Sequence, residues 1–199
     1  MKRLIHVTYP VLAVIGLVAG PAHAEAFGEV EAGVANPIGN GDWTNLAATS
    51  FKLDGRLGFT IPQGIGAALQ LDWTPLNLNG KAPQGVDVSV YRLRLLPTFV
   101  YHHPVAPKLG LSARVGVGID YIHESGSLTV LGATTTSTSS DTAFAFELGG
   151  GLWYDVGAVE LGGELALPIS SHSNKDNANY SSFDIDILVG VRFSGGTRR

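Results

Sequence analysis

The chain has no cysteine, few charged residues and, outside its N-terminus, no apolar run of the roughly 20 residues that a membrane-spanning helix needs. Without cysteine, neither a disulfide scaffold nor a cysteine-ligated metal site can form. Only 15% of the 199 residues are charged, against about 25% in soluble domains. Hydrophobic residues nevertheless make up 45%, too many for a disordered chain. The length suggests one domain, or two small ones at most, whose hydrophobicity is distributed in some way other than long runs.

The first 24 residues have the three parts of a secretory signal peptide. Lys2 and Arg3 form a positive region, residues 11–19 are apolar, and residues 22–24 form a small-x-small cleavage site. The apolar stretch is too short for a membrane anchor, so we predict cleavage after residue 24. The remaining chain is mildly acidic and has no basic stripe, which argues against nucleic acid as a partner.

Apolar residues recur at every second position through the rest of the chain, which is the period of a strand with two unlike faces. No stretch shows a convincing helical period. Eight segments of about ten residues fit the template of a transmembrane barrel. We therefore predict an all-β fold, an eight-stranded antiparallel up-and-down transmembrane β-barrel over residues 25–193, followed by a short periplasmic tail, 194–199. The eight segments are 27–35, 51–61, 65–73, 91–101, 109–121, 143–152, 159–169 and 183–193.

The connections between these segments alternate between short and long, as in outer-membrane barrels with short periplasmic turns and long extracellular loops. The even strand number then places both termini in the periplasm. We expect the Thr/Ser run 134–140 to be a flexible part of the third long loop, and His102-His103 to lie in a plain turn without metal. The short connections are 62–64, 102–108 and 155–157; the long ones are 36–50, 75–85, 124–140 and 170–181.

Alternation alone does not say which face points inward, and a soluble barrel would put its apolar face inside. Here the apolar face is bulky and would crowd the narrow interior of an eight-stranded barrel, whereas the opposite face is rich in glycine and alanine. Aromatic residues also lie near the strand ends, as in the aromatic girdles at the two membrane interfaces. The predicted interface aromatics are Phe51, Phe59, Trp73, Tyr91, Phe99, Tyr101, Tyr121, Phe144, Tyr154, Phe183 and Phe193.

With the apolar face toward lipid, all the charged strand residues point inward. One lysine or arginine facing lipid at mid-membrane would cost about 2–4 kcal/mol. Because an unpaired buried charge is strongly destabilising, we predict a filled, salt-bridged interior and not an open pore. A narrow polar conduit is the alternative. The predicted interior charge network is Glu29, Glu31, Lys52, Asp54, Arg56, Asp72, Arg92, Arg94, Arg114, Asp120, Glu147, Glu160, Glu164, Asp184, Asp186 and Arg192.

The last strand has the form of a membrane-barrel C-terminal strand, with alternating apolar residues that end at Phe193. With this strand and the segments 94–98 and 114–118, the chain resembles the small eight-stranded outer-membrane barrels, the family that includes the OmpA transmembrane domain, OmpX and OmpW. The tail 194–199 departs from the family by leaving the final aromatic internal. The resemblance implies the outer membrane of a Gram-negative bacterium, with outer-membrane lipid, lipopolysaccharide and the barrel assembly machinery as partners.

Residues 170–174 are similar to the His-x-Ser-Asn motif of an outer-membrane lipid A deacylase, a Ser-His-acid hydrolase. Here Ser173 follows His172 directly, so the spacer is missing. The candidate acids, Asp184 and Asp186, face inward by their parity, although a triad needs its three groups in one hydrogen-bonded line. A polar loop is the simpler interpretation of this segment.

We therefore predict a non-enzymatic barrel, without cofactor or metal, that acts in envelope integrity or surface interaction through its extracellular loops. Trp43 and the Ser/Thr/Asn-rich loops would form the contact surface, with a partner that the sequence does not identify. One alternative is a narrow channel for small solutes or hydrophobic compounds. A second is a lipid A deacylase-like hydrolase that uses His172 and Ser173.

Overall fold

Eight antiparallel strands close into a barrel in the structure of the chain, a computed structural model. It describes residues 24–38, 44–45, 47–78, 86–130, 133–173 and 179–195. Within these ranges, no helix is long and apolar enough to cross a membrane. The strands are β1 (Glu25–Pro37), β2 (Ser50–Thr60), β3 (Ile65–Leu76), β4 (Val86–Ala106), β5 (Leu109–Val130), β6 (Ala133–Asp155), β7 (Glu160–Ser173) and β8 (Asn179–Ser194).

Each strand pairs with its neighbours in sequence, and β1 closes the ring by pairing with β8 from Phe27↔Ser194 to Pro37↔Asp184. The predicted eight-stranded up-and-down barrel is confirmed. The last strand ends at Ser194, one residue beyond the predicted boundary. Most of the predicted signal peptide, most of the predicted tail and Trp43 of the predicted contact surface lie outside the described residues.

The outer wall of the barrel is apolar and the inner wall is polar. Leu57 and Val189 are exposed to 74% and 65%, although both lie in the middle of strands. Positions of the opposite parity on the same strands include buried charged residues such as Arg56 and Asp186. A barrel that faces lipid has this distribution, because the lipid removes the penalty for exposed apolar surface.

Three strands continue well beyond the rim of the barrel. β4, β5 and β6 have 21, 22 and 23 residues, whereas the other strands have 11 to 16. The β3–β4 ladder stops at Leu76↔Val90, and the β6–β7 ladder starts at Phe144↔Ser171. Residues 86–90, 122–130 and 133–143 therefore form a three-stranded extension, here called the protruding sheet.

The protruding sheet corrects the predictions made for two long connections. The expectation of a loop at 124–140, with a flexible Thr/Ser run, is wrong: β5 and β6 pair continuously to Val130↔Ala133. Threonine fits a pleated strand well, and each residue of the run finds a partner on β5. The connection predicted at 170–181 is also shorter, because β7 reaches Ser173 and β8 begins at Asn179.

The turns at the opposite end of the barrel are tight. Gly64 and Gly157 have φ angles of 82° and 106°, in the left-handed region that favours glycine. The predicted turns 62–64 and 155–157 are confirmed. The prediction of a turn at 102–108 is wrong for most of its length, because β4 runs to Ala106 and includes both histidines.

Candidate functional site: the barrel interior and its rim

The lower half of the interior, towards the tight turns, is organised around Arg56. Period-two alternation aims this β2 side chain inward, where it is buried among four carboxylates. Its guanidinium therefore joins β1, β2 and β7 across the lumen. Arg56 Nη1 lies 2.7 Å from Glu29 Oε2, Nε lies 3.1 Å from Asp54 Oδ1, Nη2 lies 2.8 Å from Glu164 Oε2, and Nη2 also pairs with Glu31.

Arg114 on β5 shares one of these carboxylates and adds another. Its Nη2 lies 2.9 Å from Glu147 Oε1, and its Nη1 pairs with Glu164, which also contacts Arg56. A shared carboxylate keeps two arginines from repelling each other at close range, because the negative charge lies between them. Through the shared Glu164, the two arginines link β2 to β5, β6 and β7 in one cluster.

Lys52 on β2 is the cation at the centre of the barrel and is completely buried. Its ammonium faces carboxylates from β2, β3, β6 and β8, so one point charge links four strands. The distances from Lys52 Nζ are 2.6 Å to Asp186, 2.8 Å to Asp72, 3.5 Å to Glu147 and 4.0 Å to Asp54.

Gln70 supplies neutral hydrogen bonds to the same group of acids. Its amide nitrogen donates to Asp54 Oδ2 at 2.7 Å, to Asp72 Oδ1 at 2.9 Å and to Glu147 Oε1 at 2.8 Å. An amide carries only two N–H groups, so it shares them among three acceptors. The interior therefore relies on a neutral donor where carboxylates outnumber cations.

The half of the interior towards the protruding sheet holds a second pair of arginines. Arg92 Nη2 lies 2.7 Å from Asp184 Oδ2, and Arg94 lies 3.2 Å from both Asp184 and Asp120. At the tight-turn end, Arg192 Nη1 donates to His102 Nδ1 at 2.7 Å and lies over the Phe27 ring, 4.5 Å from its centroid.

All sixteen predicted interior charges lie on the inward face, and each has an oppositely charged partner within 4.0 Å. Fifteen of them are buried, and Glu160 near the tight turns is half-buried. Some of these ion pairs join adjacent strands, as Arg94–Asp120 does. Others join strands that are not neighbours and therefore cross the lumen, as Arg56–Glu164 and Arg92–Asp184 do.

Two aromatic residues that were not among the predicted interior residues, Phe27 and Trp153, are buried. Trp153 is completely buried inside the barrel, and its Nε1 donates to Ser112 Oγ at 3.0 Å. Its parity is that of Glu147 on the same strand, so alternation could have placed it inside. All eleven predicted interface aromatics lie on the outward face.

His172 lies at the rim, buried between two acids. Its Nδ1 lies 3.0 Å from Asp141 Oδ2, and its Nε2 lies 3.6 Å from Asp120 Oδ2. Ser170 donates its hydroxyl hydrogen to Asp120 and not to the histidine, so this serine is not aligned as a nucleophile. The side chain of Ser173, the other candidate nucleophile, lies outside the described residues.

Asp184 and Asp186, the acids considered for a hydrolase, lie inside the barrel and contact Arg92 and Lys52 respectively. The acids within 4.0 Å of His172 come from β5 and β6 instead. These residues are more than 30 positions away in the chain, and nothing in the local motif indicated them.

No protein-family model matches the chain, and no curated protein matches it. Solved structures of outer-membrane proteins resemble it in fold, three of them as follows. Neisserial surface protein A is 16% identical, with a TM-score of 0.52, over 86% of this chain and 99% of that one. Ail of Yersinia pestis is 12% identical, with a TM-score of 0.53, over 86% of this chain and 100% of that one. A major outer membrane protein of Thermus thermophilus is 13% identical, with a TM-score of 0.56, over 86% of this chain and 98% of that one. The chain thus has the fold of the eight-stranded outer-membrane β-barrel proteins.

Proposed function

We propose that the protein is a non-enzymatic surface protein of a Gram-negative outer membrane, which binds extended polypeptide segments along the protruding sheet. The apolar outer wall supports the membrane location. The tight-turn end, where β1 begins and β8 ends, would then be periplasmic, and the protruding sheet would stand outside the cell.

The free side of β6 in the protruding sheet carries the proposal. Residues 135–140 are all exposed and, within the described part of the chain, pair only with β5. This segment has no charge, no proline and no register shift, the features that usually protect edge strands from pairing. An edge of this kind can add an extended peptide as a further strand.

Charge defines the class of partner more closely. Ail has been solved in complex with the heparin analogue sucrose octasulfate, a highly anionic ligand. In the described part of this chain's protruding sheet, the charged groups Asp87, Glu124 and Asp141 are all acidic. We therefore propose a neutral or basic polypeptide as partner and not a sulfated polysaccharide.

Proline substitutions test the edge directly. Adjacent strand residues point their N–H groups to opposite sides, so one of T136P and S137P removes an outward donor and the other breaks the β5 ladder. Peptides selected from a display library against the barrel in nanodiscs should lose binding to the proline variant that still folds. The matched controls T136V and S137T should bind normally. Selected peptides that bind the folded proline variant unchanged would contradict the proposal.

The cross-lumen ion pairs support a plugged interior, so the proposal includes the absence of a transport function. Planar-bilayer recordings should show no stable open conductance. A stable conductance would favour the narrow channel for small solutes or hydrophobic compounds. Lipid A mass spectra that change on expression, and revert in H172A, would favour the hydrolase instead.

A further inference from the structure

Three rings pack together on the outward face of the barrel, where the protruding sheet begins. Tyr91 and His123 are cross-strand partners with ring centroids 5.1 Å apart, and Tyr121 lies 6.4 Å from Tyr91 and 6.3 Å from His123. Tyr121 Oη lies 3.4 Å from His123 Nδ1. All three side chains are half-buried, so part of each ring remains accessible.

The outward face changes its chemistry in rows above these rings. Cross-strand pairing aligns Trp73, Leu93 and Tyr121 in one row, and Tyr91 and His123 in the next row above it. Above the rings, cross-strand pairing aligns Ser89, Ser125 and Thr138, and the next row aligns Asp87, Ser127 and Thr136. Towards the end of the protruding sheet, the outward rows thus change from large apolar and aromatic side chains to hydroxyl side chains.

The opposite end of the barrel offers a comparison. Tyr101 and His103 form a similar outward stack there, with centroids 6.0 Å apart and planes at 8°. The strand continues beyond them through Pro104 and Val105, without a hydroxyl row. Anchoring at a membrane interface accounts for rings at both ends. It does not account for the hydroxyl rows, which follow the Tyr91 cluster and have no counterpart beyond Tyr101 and His103 in the described part of the chain.

We propose that the Tyr91–Tyr121–His123 cluster and the hydroxyl rows above it bind the neutral sugar units of the glycolipid in the outer leaflet. Aromatic rings offer flat apolar faces with a polar edge, which suit the C–H face of a sugar. Serine and threonine hydroxyls both donate and accept hydrogen bonds, as sugar hydroxyls do. Asp87 is the only charge in these rows, so the surface fits neutral sugar and not phosphate.

This inference requires the outer-membrane location but not the peptide partner, because it uses the outward face of the protruding sheet and not its edge. The probes are the intact glycolipid, its dephosphorylated form and the lipid-free core oligosaccharide. The variants are Y91L/H123L and, as a matched control from the other end, Y101L/H103L. Gel mobility before and after heating establishes that each variant folds.

Wild type and Y101L/H103L should bind the dephosphorylated glycolipid in nanodiscs with similar affinity. Y91L/H123L should bind about tenfold more weakly, as the loss of two ring contacts predicts. If that variant does not fold, S125V/T138V provides the second test. Valine removes the two hydroxyls and is well suited to a strand, so this variant should also bind the glycolipid more weakly. Equal losses in both double variants, or binding that depends on the phosphates, would overturn the proposal. Binding of the lipid-free oligosaccharide alone would identify a free saccharide, and not the glycolipid, as the ligand and would also overturn it.

Discussion

Replacing Lys52 with methionine removes the central cation while keeping a side chain of similar length. Four carboxylates within 4.0 Å of Nζ then lose a positive partner in a site without access to water. Removing one member of a buried ion pair typically costs about 3–5 kcal/mol, because the remaining charge stays buried. We expect a loss of this size in the free energy of unfolding of K52M.

Equilibrium unfolding in denaturant, with the barrel in lipid vesicles and tryptophan fluorescence as the signal, measures this loss. K108M is the matched control, because Lys108 is exposed in the β4–β5 turn, and it should change stability by less than about 0.5 kcal/mol. K52M/D186N removes the nearest acid as well and should be more stable than K52M alone. A cost below about 1 kcal/mol for K52M, the range of exposed ion pairs, would refute the reasoning.

Three further predictions concern other parts of the barrel. R56M should lower the free energy of unfolding as much as K52M, by about 3–5 kcal/mol in the same assay. The carboxylates around Arg56 would remain buried without their positive partner. W153F should cost about 1 kcal/mol by losing the hydrogen bond to Ser112, and a change near zero would show that this bond is unimportant. G118A should lower the folded fraction on unheated gels, because a Cβ there would overlap the carbonyl oxygen of Leu95. G126A, whose Cβ would lie 3.9 Å from Asp87 O, should fold normally, and equal folding of both would contradict the close-approach argument.

The architecture was predictable because a lipid-facing barrel imposes one simple rule on every strand. Successive side chains face the lipid and the polar interior in turn. The sequence alone therefore predicts that Leu57 faces outward and Arg56 inward. The same rule assigns all sixteen interior charges to one face of the strands.

The rule fails where the membrane ends. In the protruding sheet both faces meet water, so alternation disappears and the Thr/Ser run 134–140 looks like a loop. The sequence also does not predict which charged side chains pair with each other. Lys52 and Asp186 are separated by 134 positions, and only the closed ring brings them within 2.6 Å. Which carboxylates surround His172 depends in the same way on strand register.

Closure of β1 on β8 has a consequence for the order of the chain. Gly195 N–H donates to Ala26 O at 2.8 Å, so the two ends of the barrel domain are adjacent. A short linker could join them, and the exposed turn at Gly157, where an added Cβ would meet nothing within 4 Å, could be cut instead. The resulting circular permutant would keep all eight ladders. In this ring no strand is intrinsically first, and the position of the chain ends is independent of the packing that holds the barrel together.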